Sequence, residues 1–123
     1  MSLVQLLYIQ LALVLVIGVL HLVGFEYFLY WKLWWYDIIL HALGGAWVAV
    51  ATLWFFGVMG LRVGVWGVVF ATLFVGAGWE AWEFGLGMWG EDGYAFDTVL
   101  DFCMDVAGAL GALWIVRTYK VVQ

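Results

Sequence analysis

From Leu3 to Gly24 the chain is almost continuously apolar, interrupted by Gln5, Gln10 and His21. A helix that crosses the hydrocarbon core of a bilayer needs about 20 such residues. Three further runs of comparable length follow, at Ile38 to Val58, Val63 to Leu86 and Thr98 to Val116, and no proline breaks them. Four spans use most of a 123-residue chain. The sequence therefore predicts an all-α, polytopic four-helix bundle, a single transmembrane domain over residues 1–123 with spans near 3–24, 38–58, 63–86 and 98–116. A signal peptide is the competing reading of the first run, and it would need a positive leader and a small-residue cleavage site. No Lys or Arg precedes Lys32 and no such site adjoins Gly24, so a retained span is expected.

Composition closes the other routes. Hydrophobic residues make up 68% of the chain and charged residues 11%, against about 45–50% and about 25% in a typical globular domain. A soluble fold of this size leaves roughly a third of its chain surface exposed and has nowhere to hide that much apolar area. One cysteine excludes a disulfide scaffold. Four basic residues against nine acidic ones exclude a nucleic-acid partner.

Aromatics gather where the runs end: Trp31, Trp34, Trp35 and Tyr36; Trp54, Phe55 and Phe56; Trp89, Tyr94 and Phe96; Trp114 and Tyr119. Such belts sit at the headgroup level. Met59 to Arg62 reads as a tight hairpin, and Gly85 to Tyr94, with Gly87, Gly90, Glu91, Asp92 and Gly93, as a loop. Arg62, Arg117 and Lys120 fall on the side of the termini and Lys32 on the other. The positive-inside rule then puts both termini in the cytoplasm and the chain in the cytoplasmic membrane.

All nine acids lie on the Lys32 side, and both histidines lie toward it. Acids contribute little to topology, so the bias has another cause. Glu91 and Asp92 suit a solvated loop, Glu26 follows the first span, and Asp97 suits a helix N-cap or an outer position beside a site. The others lie deeper. With Trp35, Trp89 and Phe96 taken as the interface and about 1.5 Å rise per residue, His41 and Glu83 are about 9 Å down, Glu80 and Asp105 about 13 Å, and Asp101 about 7 Å.

Helical spacing puts these groups on single faces. Asp37 and His41 are i, i+4; Glu80 and Glu83 are i, i+3; Asp97, Asp101 and Asp105 form an i, i+4, i+8 stripe. Gly44, Gly45, Gly76, Gly108 and Ala112 extend the same faces, and small residues let helices approach closely in lipid. The acidic faces are therefore expected to point into the bundle. The hexapeptides Tyr36 to His41 and Phe96 to Asp101 also align at a constant offset, and a parallel repeat would place a site at the repeat interface.

A lone mid-span carboxylate costs about 2.5–3.5 kcal/mol on insertion scales. Asp37, Glu80, Glu83, Asp101 and Asp105 would also repel one another, and no Lys or Arg shares their faces. They need protons or cations. Carboxylates with His41 suit a divalent metal, Mg²⁺, Mn²⁺, Fe²⁺ or Zn²⁺. The expected ligand set is Asp37, His41, Glu80, Glu83, Asp101 and Asp105, with room in the charge balance for two ions. Such a site could activate water toward a lipid or lipid-linked headgroup. The alternatives are transport of a divalent cation or protons along the same acids, haem ligation by His21 and His41, and protonated acids acting as helix glue. The expected partners are the bilayer and a lipid-type ligand, with a homo-oligomer open.

The pattern Asp37-x-x-x-His41 with Gly44-Gly45, Glu80-x-x-Glu83, and Asp97-Thr98-x-x-Asp101-x-x-x-Asp105-x-x-Gly108-x-x-Gly111 resembles small VanZ-like and YjdF-type membrane proteins over Trp35 to Leu113. It departs from the VanZ-like pattern at Glu83, where Gln is expected, at Asp105, where Asn is expected, and in lacking an Arg ahead of the last span. The likeness is closer to the YjdF-type branch. It implies a surface-membrane setting, since VanZ-like proteins are linked to tolerance of glycopeptide antibiotics.

Overall fold

The structure, a computed structural model, describes residues 1–87 and 94–121, with side chains to residue 119. Four long helices, α1 (Leu3–Glu26), α3 (Tyr36–Val58), α4 (Val65–Gly85) and α5 (Tyr94–Val121), are each long and apolar enough to cross a membrane. A one-turn helix, α2 (Leu29–Lys32), links the first pair and was not foreseen from hydropathy. Residues 88–93, with Trp89, Glu91 and Asp92 of the expected loop, lie outside the described residues.

Local chemistry sets the ends. Ser2 caps α1: its Oγ accepts from the Gln5 N–H at 3.2 Å, and the Gln5 side chain accepts from the Ser2 N–H at 2.8 Å. Gln5, an interruption by hydropathy, is thus half of a capping box. The α3–α4 hairpin closes as expected at Gly60, whose φ of +71° favours glycine. Helix α5 departs most from its expected bounds, opening at Tyr94 and running to Val121. Hydropathy measures the thickness of the apolar slab, whereas a helix continues into the headgroup layer while its hydrogen bonds can be made. This corrects the reading of Asp97 as an N-cap: it lies within the first turn of α5 and is exposed.

The bundle is built around α3. Helices α3 and α5 run parallel, and their backbones approach most closely at two glycines. A Cβ built on Gly45 would overlap the Asp105 carbonyl, and one built on Gly108 would overlap the Ala42 carbonyl. Repeat-equivalent positions come together across this contact: His41 meets Asp101, Gly45 meets Asp105, and Ala49 and Ala109 share one apolar cluster. Helix α4 packs on both α3 and α5, whereas α1 leans mainly on α3 and no Cα of α1 comes within 8 Å of one in α4.

The half of the bundle near the termini is filled by apolar side chains. Ala49, Val68, Ala109 and Leu113 form one cluster and Leu6, Val50 and Val116 another. At the opposite end Tyr36 pins α3 to α1, donating from its hydroxyl to the Leu20 carbonyl at 2.7 Å. Gly24 makes room for this, since a Cβ there would lie 2.7 Å from the Tyr36 ring. Tyr36→Phe is expected to cost about 0.5–1.5 kcal/mol, the usual net value of one hydrogen bond. A lowered melting temperature in detergent at unchanged helix content would register it.

Candidate metal centre

Three spans deliver the site. Helix α3 carries Asp37 and His41 one turn apart, and α5 carries Asp101 and Asp105 one turn apart. Because the glycine contacts bring α3 and α5 together just below, the two pairs interdigitate. His41 Nε2 lies 3.8 Å from Asp37 Oδ2 and 3.7 Å from Asp101 Oδ2. Its Nδ1 lies 3.1 Å from Asp105 Oδ1. His41, Asp101 and Asp105 are buried and Asp37 is half-buried. The third span, α4, contributes Gly76, where a Cβ would come within 2.6 Å of Asp105 Oδ2. Its lack of a side chain leaves that carboxylate its place.

This geometry gives the imidazole two distinct faces. A carboxylate at Nδ1 favours the tautomer with its proton there, leaving the Nε2 lone pair directed at Asp37 and Asp101. Asp37, His41 and Asp101 together could hold a metal ion: one ligand atom from each lies within 4.8 Å of the others. Ligands about 2.1 Å from a common ion stand about 3.0–3.4 Å apart, so closure around an ion needs these side chains to draw together. Asp101 Oδ1 is buried and has no hydrogen-bond partner among the described residues. An unsatisfied buried carboxylate oxygen is costly, and a bound cation would satisfy it.

The other expected ligands are placed differently. Glu80 is buried, but its Oε2 accepts from the Thr98 hydroxyl at 2.8 Å, and its Oε1 has no partner among the described residues. Glu83 accepts from Trp79 Nε1 at 2.8 Å on its own helix. Neither belongs to the ligand group with Asp37, His41 and Asp101, and no second such group is present among the described residues. Sharing a helix face does not make two acids converge on a third, because the rotation of α4 about its own axis places them. Thr98→Val would leave both Glu80 oxygens unpaired and is expected to lower stability by about 1–3 kcal/mol. Thr98→Ser should preserve it, and parallel melting curves in detergent test the pair.

His21 stands apart from this centre. The Tyr30 hydroxyl bonds its Nδ1, and its ring packs against Trp79 with centroids 5.4 Å apart. Burial pushes the Tyr30 phenol above its ordinary pKa, and the Asp37 carboxylate adds to the shift. Tyr30 therefore keeps its proton. Neither Tyr30 nor Thr98 was foreseen as a site residue. Tyr30 lies in α2, outside any span, and no periodic spacing connects it to His21.

Four apolar spans with ionisable side chains buried at one end define a polytopic helical membrane protein. The chain belongs to the family described as predicted membrane protein DUF2238, whose model matches residues 2–121. No curated protein and no solved structure matches the chain.

Proposed function

We propose that the protein binds one divalent metal ion within the membrane through Asp37, His41 and Asp101, with Asp105 orienting His41. The observation that carries this reading is the two-sided imidazole: Nε2 lies between two carboxylates while Nδ1 is held by a third. Metal-ligating histidines almost always carry such a partner on the far nitrogen. Charge supports it. One divalent cation balances the two ligating carboxylates, Asp37 and Asp101, on faces without Lys or Arg, and leaves Asp105, the partner of His41 Nδ1, outside that balance. One ion is proposed, because the ligand group among the described residues is Asp37, His41 and Asp101, while Glu80 Oε2 bonds Thr98 and Glu83 bonds Trp79.

Three protein ligands leave coordination positions open, the arrangement of a catalytic rather than a purely structural ion. The chemistry it supports is polarisation of an oxygen, or activation of water, at a lipid or lipid-linked headgroup. The apolar clusters in the terminal half favour a static site over a conducted path. The Tyr30 bond to His21 and the aspartates around His41 favour metal over haem. The YjdF-type likeness and a site on the extracytoplasmic side of the cytoplasmic membrane belong to the same proposal. Elemental analysis of the protein purified without added metal tests it. About one equivalent of Mg, Mn, Fe or Zn per chain is expected, and none overturns it.

A further inference from the structure

A cavity of about 300 Å³ opens between α1 and α4, whose backbones stay more than 8 Å apart, Cα to Cα. Its inner stretch is walled by Val14 and Ile17 of α1, Val48 of α3 and Val75 of α4. Its outer end is Asp37, His41 and Asp105. The seven helical steps from Val14 to His21 give it a length of roughly 10 Å along the helix axes. His21 and Trp79 meet across its outer end. Gly18 lines the cavity, and a Cβ there meets nothing within 4 Å.

These features limit what can fill it. In a protein that spans a membrane, the medium beside a gap between two outer helices is hydrocarbon. The inner walls offer few polar partners, and an ordered water needs two to four. A volume near the lower end of the usual range for ligand sites, about 300–1,000 Å³, suits one chain and not two. The polar end then sets what that chain must carry. His41 lies about 9 Å below the interfacial tryptophans, whereas the headgroup layer on each side of a bilayer is only about 5–8 Å thick. The lipid oxygens at that depth are those joining the acyl chains to the headgroup, and hard divalent ions take oxygen ligands.

We propose that the α1–α4 cleft holds one ester-linked acyl chain of a membrane phospholipid, entering sideways from the bilayer, with its ester carbonyl at the Asp37–His41–Asp101 centre. The chain occupies the apolar stretch on its own account, whereas the placement of the carbonyl rests on the metal reading above. Gly18 keeps the cleft open, and the His21–Trp79 contact closes it beneath the headgroup.

The test uses the full chain in nanodiscs of phosphatidylcholine carrying a mid-chain diazirine, with adducts mapped by mass spectrometry after irradiation. Labelling of Val14, Ile17 and Val75 should exceed that of Leu15 and Phe74, which face outward. Gly18→Trp, or the milder Gly18→Leu, should reduce cleft labelling several-fold without changing metal content or monodispersity. Asp101→Asn should lose the metal and keep the mid-chain labelling. Equal labelling of cleft and outward positions overturns the proposal, as does cleft labelling that survives both Gly18 variants. Displacement of the label by a small mole fraction of free palmitate also overturns it, because the occupant would then be a free acid. Selective cleft labelling in protein that holds no metal would overturn the metal reading and leave the chain assignment supported.

Discussion

Asp101→Asn and His41→Ala are each expected to empty the metal centre, taking the purified protein from about one equivalent of ion to near zero. Asp101 is the more informative. It is only 3% exposed, one of its oxygens faces His41 Nε2, and the other has no hydrogen-bond partner among the described residues. The amide keeps the shape and removes the charge, so a packing role would survive the change and a ligand role would not. Asp105→Asn should weaken affinity by roughly 10–100-fold without abolishing it, the usual cost of losing a partner that orients a metal-bound histidine. Glu83→Gln should leave metal content unchanged, because Glu83 bonds Trp79. Removing the ion should also lower stability, by about 2.7 kcal/mol relative to protein held at a hundred times its dissociation constant. Elemental analysis and melting curves with and without chelator provide the two readouts. Full metal content in Asp101→Asn would refute the assignment.

Gly45→Ala and Gly108→Ala are expected to be the most damaging of the conservative substitutions. Each added methyl would overlap a backbone carbonyl of the facing helix, Asp105 for Gly45 and Ala42 for Gly108. A carbonyl cannot rotate aside as a side chain can, so α3 and α5 would have to separate. Overpacking of a core ordinarily costs about 1–3 kcal/mol and occasionally more. These two should lie at or above the upper end, with a fall in melting temperature and loss of monodisperse elution. Separation would also draw Asp105 away from His41, so metal affinity should fall with stability. Neighbouring glycines supply the control. At Gly44 a Cβ would lie 4.0 Å from Asp105 Oδ1, and at Gly111 nothing lies within 4 Å. Ala at Gly111 should be neutral, or stabilising by up to about 1 kcal/mol through its better helix propensity. Equal effects at all four positions would show that the close approach of α3 and α5 is not what these glycines serve.

Much of the architecture was legible before any coordinates. The four apolar runs located the spans, because the hydrocarbon slab imposes a length that hydropathy can measure. The pairs Asp37/His41 and Asp101/Asp105 were correctly placed on common faces, because residues four apart in a helix stack whatever surrounds them. The repeat offset pointed to the α3–α5 interface, where equivalent positions do meet. Glu80 and Glu83 were placed together by their spacing, and the structure bonds them to Thr98 and Trp79 respectively.

The sequence by itself determined the number and approximate place of the spans, the shared faces and the crowding of acids at one end. Those follow from a fixed rise and a fixed rotation per residue. Only the tertiary structure decided which acids surround His41, which of two adjacent glycines bears the helix crossing, and that α1 and α4 stand apart around a cleft. Those depend on how each helix is turned about its own axis against its neighbours. That angle is set here by contacts such as Gly45 on the Asp105 carbonyl, between residues sixty positions apart in the chain, which no local spacing encodes.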